Sequence, residues 1–324
     1  IQSMKNLKVV YMGTPEFAVA TLGSLLINGY NVLAVVTSPD KPAGRGMTVK
    51  KSAVKLFAEA NSLPILQPED LKCPVFIDRL RRLNADIFVV VAFRMLPREV
   101  WTLPPKGTIN LHASLLPQYR GAAPINHAII NGEKTTGVST FLIDEKTDTG
   151  NILLRREVPV FPFENASDLH DKLMKHGASL VINTLEGIAV GSIKPRPQSD
   201  FMMPGETLFK APKIFPKFCI IDWNMEAHRI HNLIRGLANY PCARSAFRKD
   251  SKTLSFKIYE ARPETQEHNL SPGQIITDRK SFLKIACRGG FVNILSLQLE
   301  GKKRLGTADF LRGFKIEDYS IAEE

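Results

Sequence analysis

The 324-residue chain is longer than one typical domain, and its 44% hydrophobic and 23% charged residues describe an ordinary globular protein, which excludes disordered and fibrous classes. Its formal charge of +11 is uneven: from Phe209 onward 20 Lys/Arg stand against 13 Asp/Glu, a net +7, whereas the first 208 residues carry 23 against 19, a net +4. No apolar run approaches the roughly 18 residues of a transmembrane helix and no secretory leader precedes the first valine-rich segment, so a cytoplasmic chain with no membrane role is expected.

Residues 1–3, ahead of Met4, read as extraneous to the fold. Residues 7–12 form a short apolar run ending at Gly13, after which Phe17, Val19, Leu22, Leu25 and Leu26 recur at helical spacing, giving strand, tight turn and helix. Such a turn can set backbone amides against a phosphate. Here residues 13–18 lack the second and third glycines of a dinucleotide loop, and Glu16 adds negative charge, so NAD binding is not expected. A strand at 32–37, a helix at 52–60, a short strand at 64–66 and a helix at 75–83 lead into 86–92, a nearly all-apolar run of the kind that parallel strands buried on both faces require. Repeated β-α units imply an open α/β sheet.

After Gly107 come a strand at 108–111, a polar loop, a helix at 124–131, strands at 137–142 and 152–158, and a long amphipathic helix at 166–188. The stretch 191–205, with prolines at 195, 197 and 204, has neither periodicity and reads as a semi-rigid spacer. A helix is expected at 224–237. Beyond it, pieces at 243–247, 253–260, 273–277, 282–287, 291–298 and 302–310 have strand length and are separated by Gly, Asp or Pro, which points to a small barrel. The expected fold class is therefore α/β: an open Rossmann-like sheet domain over 4–190, a linker over 191–208, and a small oligonucleotide-binding-like β-barrel domain over 209–324. The basic charge of that barrel suggests a polyanionic partner.

Asn110 and His112 follow a buried strand at i and i+2, so in extended geometry they share a face at the carboxyl end of the sheet, where open α/β folds collect ligands. An amide donor and an imidazole there suit stabilisation of an oxyanion and movement of a proton. Asp148, in the polar loop after strand 137–142, either orients or pairs with His112 or simply faces solvent. Ser114 is not on a GxSxG elbow, so acyl-enzyme chemistry has little support; the pattern fits direct attack of a substrate nucleophile on a carbonyl. His170, His176, His228 and His231 lack acidic or cysteine partners at ligand spacing and are assigned packing or solvent roles. Cys73, Cys219, Cys242 and Cys287 are scattered, so neither a zinc site nor a disulfide framework is expected. Lys41, Arg45, Lys50 and Lys51 surround Gly44 and Gly46 in a flexible basic loop that can adapt to a nucleic-acid backbone.

The Asn-x-His core with residues 110–125, together with residues 10–19, residues 38–46 and Asp148, Thr149 and Gly150, resembles the folate-dependent formyltransferases, most specifically the branch acting on charged initiator tRNA. The resemblance is strong to about residue 188 and weaker in the barrel. It implies that Asn110, His112 and Asp148 are catalytic and that the amine of methionyl-initiator tRNA attacks the formyl carbon of 10-formyltetrahydrofolate, with no metal. It places the folate around Phe93, Arg94, Met95, Leu96, Ile143 and Asp144, with Ser114, Leu115, Leu116 and Pro117 alongside. It also implies that Lys41, Arg45, Lys50 and Lys51 meet the tRNA acceptor end, Arg45 helping to sense a weakly paired first base pair, and that the chain is a monomer. Three residues depart from the family pattern: Arg94 for a small glycine, His127 for Trp, and Cys242 for glycine. The competing expectations are a formyltransferase for an amino sugar nucleotide and a non-enzymatic RNA-binding protein.

Overall fold

The computed structural model describes residues 7–43 and 48–322. In chain order its elements are β1 (Lys8–Gly13), α1 (Glu16–Ile27), β2 (Asn31–Val36), β3 (Lys41–Ala43), β4 (Thr48–Lys50), α2 (Ala53–Ala60), β5 (Ile65–Leu66), α3 (Pro74–Leu83), β6 (Ile87–Val91), α4 (Arg98–Trp101), β7 (Thr108–His112), β8 (Arg120–Gly121), α5 (Pro124–Ile130), β9 (Thr135–Leu142), β10 (Ile152–Pro159) and α6 (Ala166–Ala189). These are followed by β11 (Lys210–Ala211), α7 (Ala227–Leu237), β12 (Ala243–Lys249), β13 (Lys252–Thr265), β14 (Ile275–Thr277), β15 (Leu283–Cys287), β16 (Gly290–Leu299), β17 (Leu305–Gly306), α8 (Thr307–Gly313) and β18 (Ser320–Ile321). The chain divides into two compact units: Ile1–Gly121, Thr135–Pro159 and His170–Lys210 in the first, and Ala122–Lys134, Val160–Leu169 and Ala211–Glu324 in the second.

The first unit is built on a seven-stranded sheet of order β10-β9-β7-β6-β1-β2-β5. Strands β7, β6, β1, β2 and β5 are parallel, and β9 and β10 add antiparallel strands at one edge. The sequence Ile-Phe-Val-Val-Val of β6 is buried at every position because helices cover both faces of a parallel sheet. One of those faces packs Val10, Met12, Val36, Phe88 and Val90 against Phe76, Leu80 and Val100. The chain steps from β1 outward to β2 and β5, then returns to build β6 and β7 on the other side of β1. That reversal is the switch point where open α/β sheets place ligands, beyond the carboxyl ends of the strands.

The second unit wraps an antiparallel, nearly closed barrel, with sheet order β14-β15-β16-β13-β12-β18 and β17 paired to β16, around one apolar core. The rings of Phe247 and Phe256 stack at 4.1 Å in its centre, and Trp223 donates to Ser245 Oγ at 3.0 Å, satisfying its buried indole N–H. α7 closes one side of this core through Ile230, Leu233, Ile234 and Leu237.

The α/β sheet unit and the small antiparallel barrel match the expected fold class, and three local expectations are refined. Residues 302–310 are not a strand: after the two-residue β17 they turn into α8, because Thr307, Phe310, Leu311 and Phe314 repeat at helical spacing and put Phe310 and Phe314 within 6.1 and 5.7 Å of the Phe247 ring. The basic loop is not wholly irregular, since β3 and β4 pair antiparallel with Lys41 opposite Lys50; Arg45, with Gly44 and Gly46, lies outside the described residues. The proline-rich stretch after α6, expected as a semi-rigid spacer, is anchored at its centre. Arg196 exchanges two backbone hydrogen bonds with Ile152 of β10, and Gln198–Phe201 forms a 3-10 turn with Phe201 between the guanidinium groups of Arg155 and Arg196, 4.4 and 4.6 Å from its ring.

Candidate active site

β7 lies parallel to β6 and antiparallel to β9, with Asn110 paired to Val90 and Phe141 and His112 paired to Ser139. The strand's alternation sends Ile109 and Leu111 to one face and Asn110 and His112 to the other. His112 is 7% exposed, and Asn110 is half-buried with no side-chain hydrogen bond among the described residues. An amide with both donors free at the mouth of a sheet is available to a ligand oxygen.

The loop after β7 is held by polar contacts that the sequence motif does not reveal. Ser139 Oγ donates to Ser114 O at 2.6 Å and accepts from Leu116 N at 3.0 Å, while Arg155 donates to Leu116 O at 2.8 Å. Burial lowers the Arg155 pKa from its ordinary value. Leu116 is fully buried with Phe141 and Ile152. This brings the backbone of Tyr119, in the left-handed region at φ 60°, to His112, whose Nε2 lies 2.9 Å from Tyr119 O. A carbonyl only accepts, so Nε2 is the donor in this contact, and Nδ1 is the ring nitrogen turned away from it.

Nδ1 faces Asp148 Oδ2 across 3.9 Å, both side chains being largely buried. The same carboxylate oxygen accepts from Gly121 N at 3.0 Å, and Asp148 itself holds a left-handed φ of 55°. Gly150 makes the tight return possible: a Cβ there would lie 1.7 Å from Leu142 O. Of the three residues expected as catalytic, His112 and Asp148 thus face each other, and Asn110 lies two residues before His112 on the same strand face. Gln198 was missed. Only 5% exposed, it donates from Nε2 to Asp148 O and Gly150 O, both at 2.9 Å, and accepts at Oε1 from Arg120 Nε and a terminal guanidinium nitrogen at 3.0 and 2.6 Å. A lone Gln in a proline-rich stretch carries no pattern that would single it out.

Of the residues expected at the folate, Phe93 and Ile143 are half-buried and pack on the same core cluster, with Leu96 buried in it. Met95 is 76% exposed. Arg94 turns away to donate to Glu69 O and Pro68 O at 2.9 and 2.7 Å, its guanidinium 5.3 Å from the Phe93 ring, and burial lowers its pKa. Asp144 is exposed and accepts from Thr149 Oγ1 at 2.8 and 3.0 Å. Ser114, Leu116 and Pro117 are buried and Leu115 half-buried, with Ser114 Oγ donating to Gln118 O at 2.6 Å. Lys41 and Lys50 are exposed, and Lys51 pairs with Glu59 at 2.8 Å. His127 sits in the second unit, its Nε2 2.9 Å from Pro212 O, and Cys242 is buried with φ 68°, the conformation a glycine would take freely. All four cysteines are free, and among the described residues no group of three or more His, Cys, Asp or Glu could hold a metal ion.

Residues 5–185 match the formyl transferase family model, and residues 213–315 match the model for the formyl transferase C-terminal domain. Methionyl-tRNA formyltransferase of Bacteroides fragilis is 50% identical over 315 residues, 97% of each chain, and that of Flavobacterium johnsoniae is 49% identical over 97% of this chain and 98% of its own. Among solved structures, the N-formyltransferase from Helicobacter canadensis in complex with folinic acid and dTDP-3-aminofucose superposes with a TM-score of 0.65 at 20% identity, covering 92% of this chain and 100% of its own, a likeness of fold.

Proposed function

The chain belongs to the formyl transferase family, and on that premise we propose that it transfers the formyl group of 10-formyltetrahydrofolate to the α-amino group of methionyl-initiator tRNA, acting as a cytoplasmic monomer. The observation that carries the chemistry is the placement of His112, with a carbonyl at Nε2, a carboxylate beyond Nδ1 and the free Asn110 amide on the same strand face. The methionyl amine attacks the formyl carbon, and the carbonyl oxygen takes up negative charge, which the Asn110 amide is placed to receive. The amine proton passes to Nδ1 of His112, and the imidazolium so formed is balanced by Asp148. Collapse of the tetrahedral species breaks the bond to N10 of the folate, which takes the proton back from the His112 imidazolium and leaves as tetrahydrofolate. Phe93 and Ile143 offer apolar surface suited to the folate ring. No helix of the described residues is long and apolar enough to cross a membrane.

Charge supports a nucleic-acid acceptor. Lys41 opposite Lys50 in the first unit and Arg244 opposite Lys257 in the second place like charges on directly paired residues, an arrangement that costs stability unless an anion offsets it. In the second unit Arg244, Arg248, Lys217 and Lys257 line a cavity of about 890 Å³, and Arg244 Nε has no hydrogen-bond partner among the described residues. The test supplies 10-formyltetrahydrofolate with methionyl-initiator tRNA, elongator methionyl-tRNA or a dTDP-amino sugar and identifies the formylated product. Formylation of the initiator tRNA in preference to both others is expected. Preferential formylation of the sugar would overturn the reading.

A further inference from the structure

Asp148 holds a left-handed backbone conformation, φ 55°, which an Asp tolerates better than most non-glycine residues but which still gains from contacts that fix it. Two residues hold it there. Gly121 N holds the carboxylate, and Gln198 Nε2 holds the two carbonyls on either side of Thr149. The Gln198 amide uses both of its donor hydrogens on that loop and both acceptor lone pairs on Arg120, whose chain neighbours Tyr119 and Gly121 contact His112 and Asp148. Gln198 therefore ties together the two loops whose separation sets the 3.9 Å gap between His112 and Asp148. The segment bearing it is in turn fixed to β10 by the Arg196–Ile152 pair and by Phe201 between two guanidinium groups, which explains how a residue outside the sheet stays 95% buried.

We propose that Gln198 is a positioning residue for formyl transfer: it holds the Asp148 loop in its left-handed turn and so keeps the carboxylate facing His112. The proposal rests on the reading of His112 and Asp148 as the reacting pair. A displacement of about 1 Å in such a pair can cost on the order of 100-fold in rate. Gln198→Ala removes both donors and should lower the single-turnover formylation rate by about 10- to 100-fold, with KM for both substrates changed by less than about threefold. Gln198→Glu keeps the volume and the Arg120 contact but turns an oxygen toward two carbonyl oxygens, so it should lose at least as much activity as the Ala variant.

The deciding comparison is a cycle with Asp148→Asn, with thermal melts to establish that each variant is folded. A residue acting only through Asp148 adds little once that carboxylate is gone, so Gln198→Ala in the Asp148→Asn background should cost less than about threefold further, and the acidic limb of the rate profile should move in Gln198→Ala but not in the double variant. A full additional loss in the Asp148→Asn background, or a wild-type rate in folded Gln198→Glu, would overturn the proposal while leaving the reacting pair intact. A wild-type rate in Asp148→Asn itself would remove the reading on which it stands.

Discussion

His112 and His231 are buried alike, 7% and 5% exposed, yet their neighbours set them different tasks. His231 lies on α7 with the Phe163 ring at 6.0 Å, and burial, reinforced by the nearby Arg235 and Arg262 charges, pushes its pKa down to about 4. It is a neutral packing group at physiological pH. His112 instead has a carbonyl against one ring nitrogen and a carboxylate beyond the other, at the carboxyl end of a parallel strand. Burial alone does not make a histidine reactive; the sign of the charge beside it decides whether a proton taken from a substrate can be held.

Substitution at the two sites should separate chemistry from stability. The largest effect is expected for His112→Ala, which removes proton acceptor and ion pair together: single-turnover formylation should fall by about 10³- to 10⁴-fold while tRNA affinity and thermal midpoint stay near wild type. A loss of binding in proportion to the loss of rate would assign His112 to substrate binding instead. Asn110→Ala should cost about 2.7 to 4 kcal/mol of transition-state stabilisation, or roughly 100- to 1,000-fold in rate, the scale for one oxyanion donor. The check is again single turnover with both substrates saturating.

At the second site the expected signature is pH-dependent stability with chemistry unchanged. Unfolded His231 takes up a proton below pH 6.5, whereas the folded residue does so only near pH 4, so the unfolded state binds more protons in that window and stability declines as pH falls. One such group contributes a slope of up to about 1.4 kcal/mol per pH unit. His231→Phe should reduce the slope between pH 6.5 and 4 in denaturant melts and leave formylation at pH 7 as it was; an unchanged slope would mean that His231 is solvated in the folded state. The smallest effect is expected for Lys257→Ala. Losing one phosphate contact should lower the slope of log affinity against log salt by about 0.7 to 0.9 and weaken tRNA binding only a few-fold. An unaltered salt slope would place the tRNA elsewhere on the barrel.

The two sites were unequally legible in the sequence. Asn110 and His112 stood out because strand alternation puts them on one face at the carboxyl end of the sheet, whereas Asp148 joined them only through the resemblance to the formyltransferases, its own loop position leaving a solvent-facing role equally open. Gln198 did not, because its function comes from a chain crossing 50 residues beyond Asp148, and a single buried amide leaves no periodicity. The fold class followed from β-α alternation and from the short strands of the barrel. The error at 302–310 arose because strand length and flanking glycines were weighed ahead of the helical repeat of Thr307, Phe310, Leu311 and Phe314. For His231 the sequence left packing and solvent roles open; its burial decides for packing, and of the two charges that reinforce it Arg235 lies one helical turn on in α7, whereas Arg262 comes from β13, far from α7 in sequence.

The central claim, that His112 and Asp148 act as one unit, is tested most directly by single-turnover formylation of methionyl-initiator tRNA by His112→Ala, Asp148→Asn and the double variant. Two charges about 4 Å apart at an effective dielectric of 20 attract by about 4 kcal/mol before desolvation, so Asp148→Asn should cost on the order of 100-fold. With His112 already absent there is no imidazolium to balance, and the same substitution should then cost less than about threefold. Additive losses in the double variant, or near-wild-type rates in both single variants, would contradict the account.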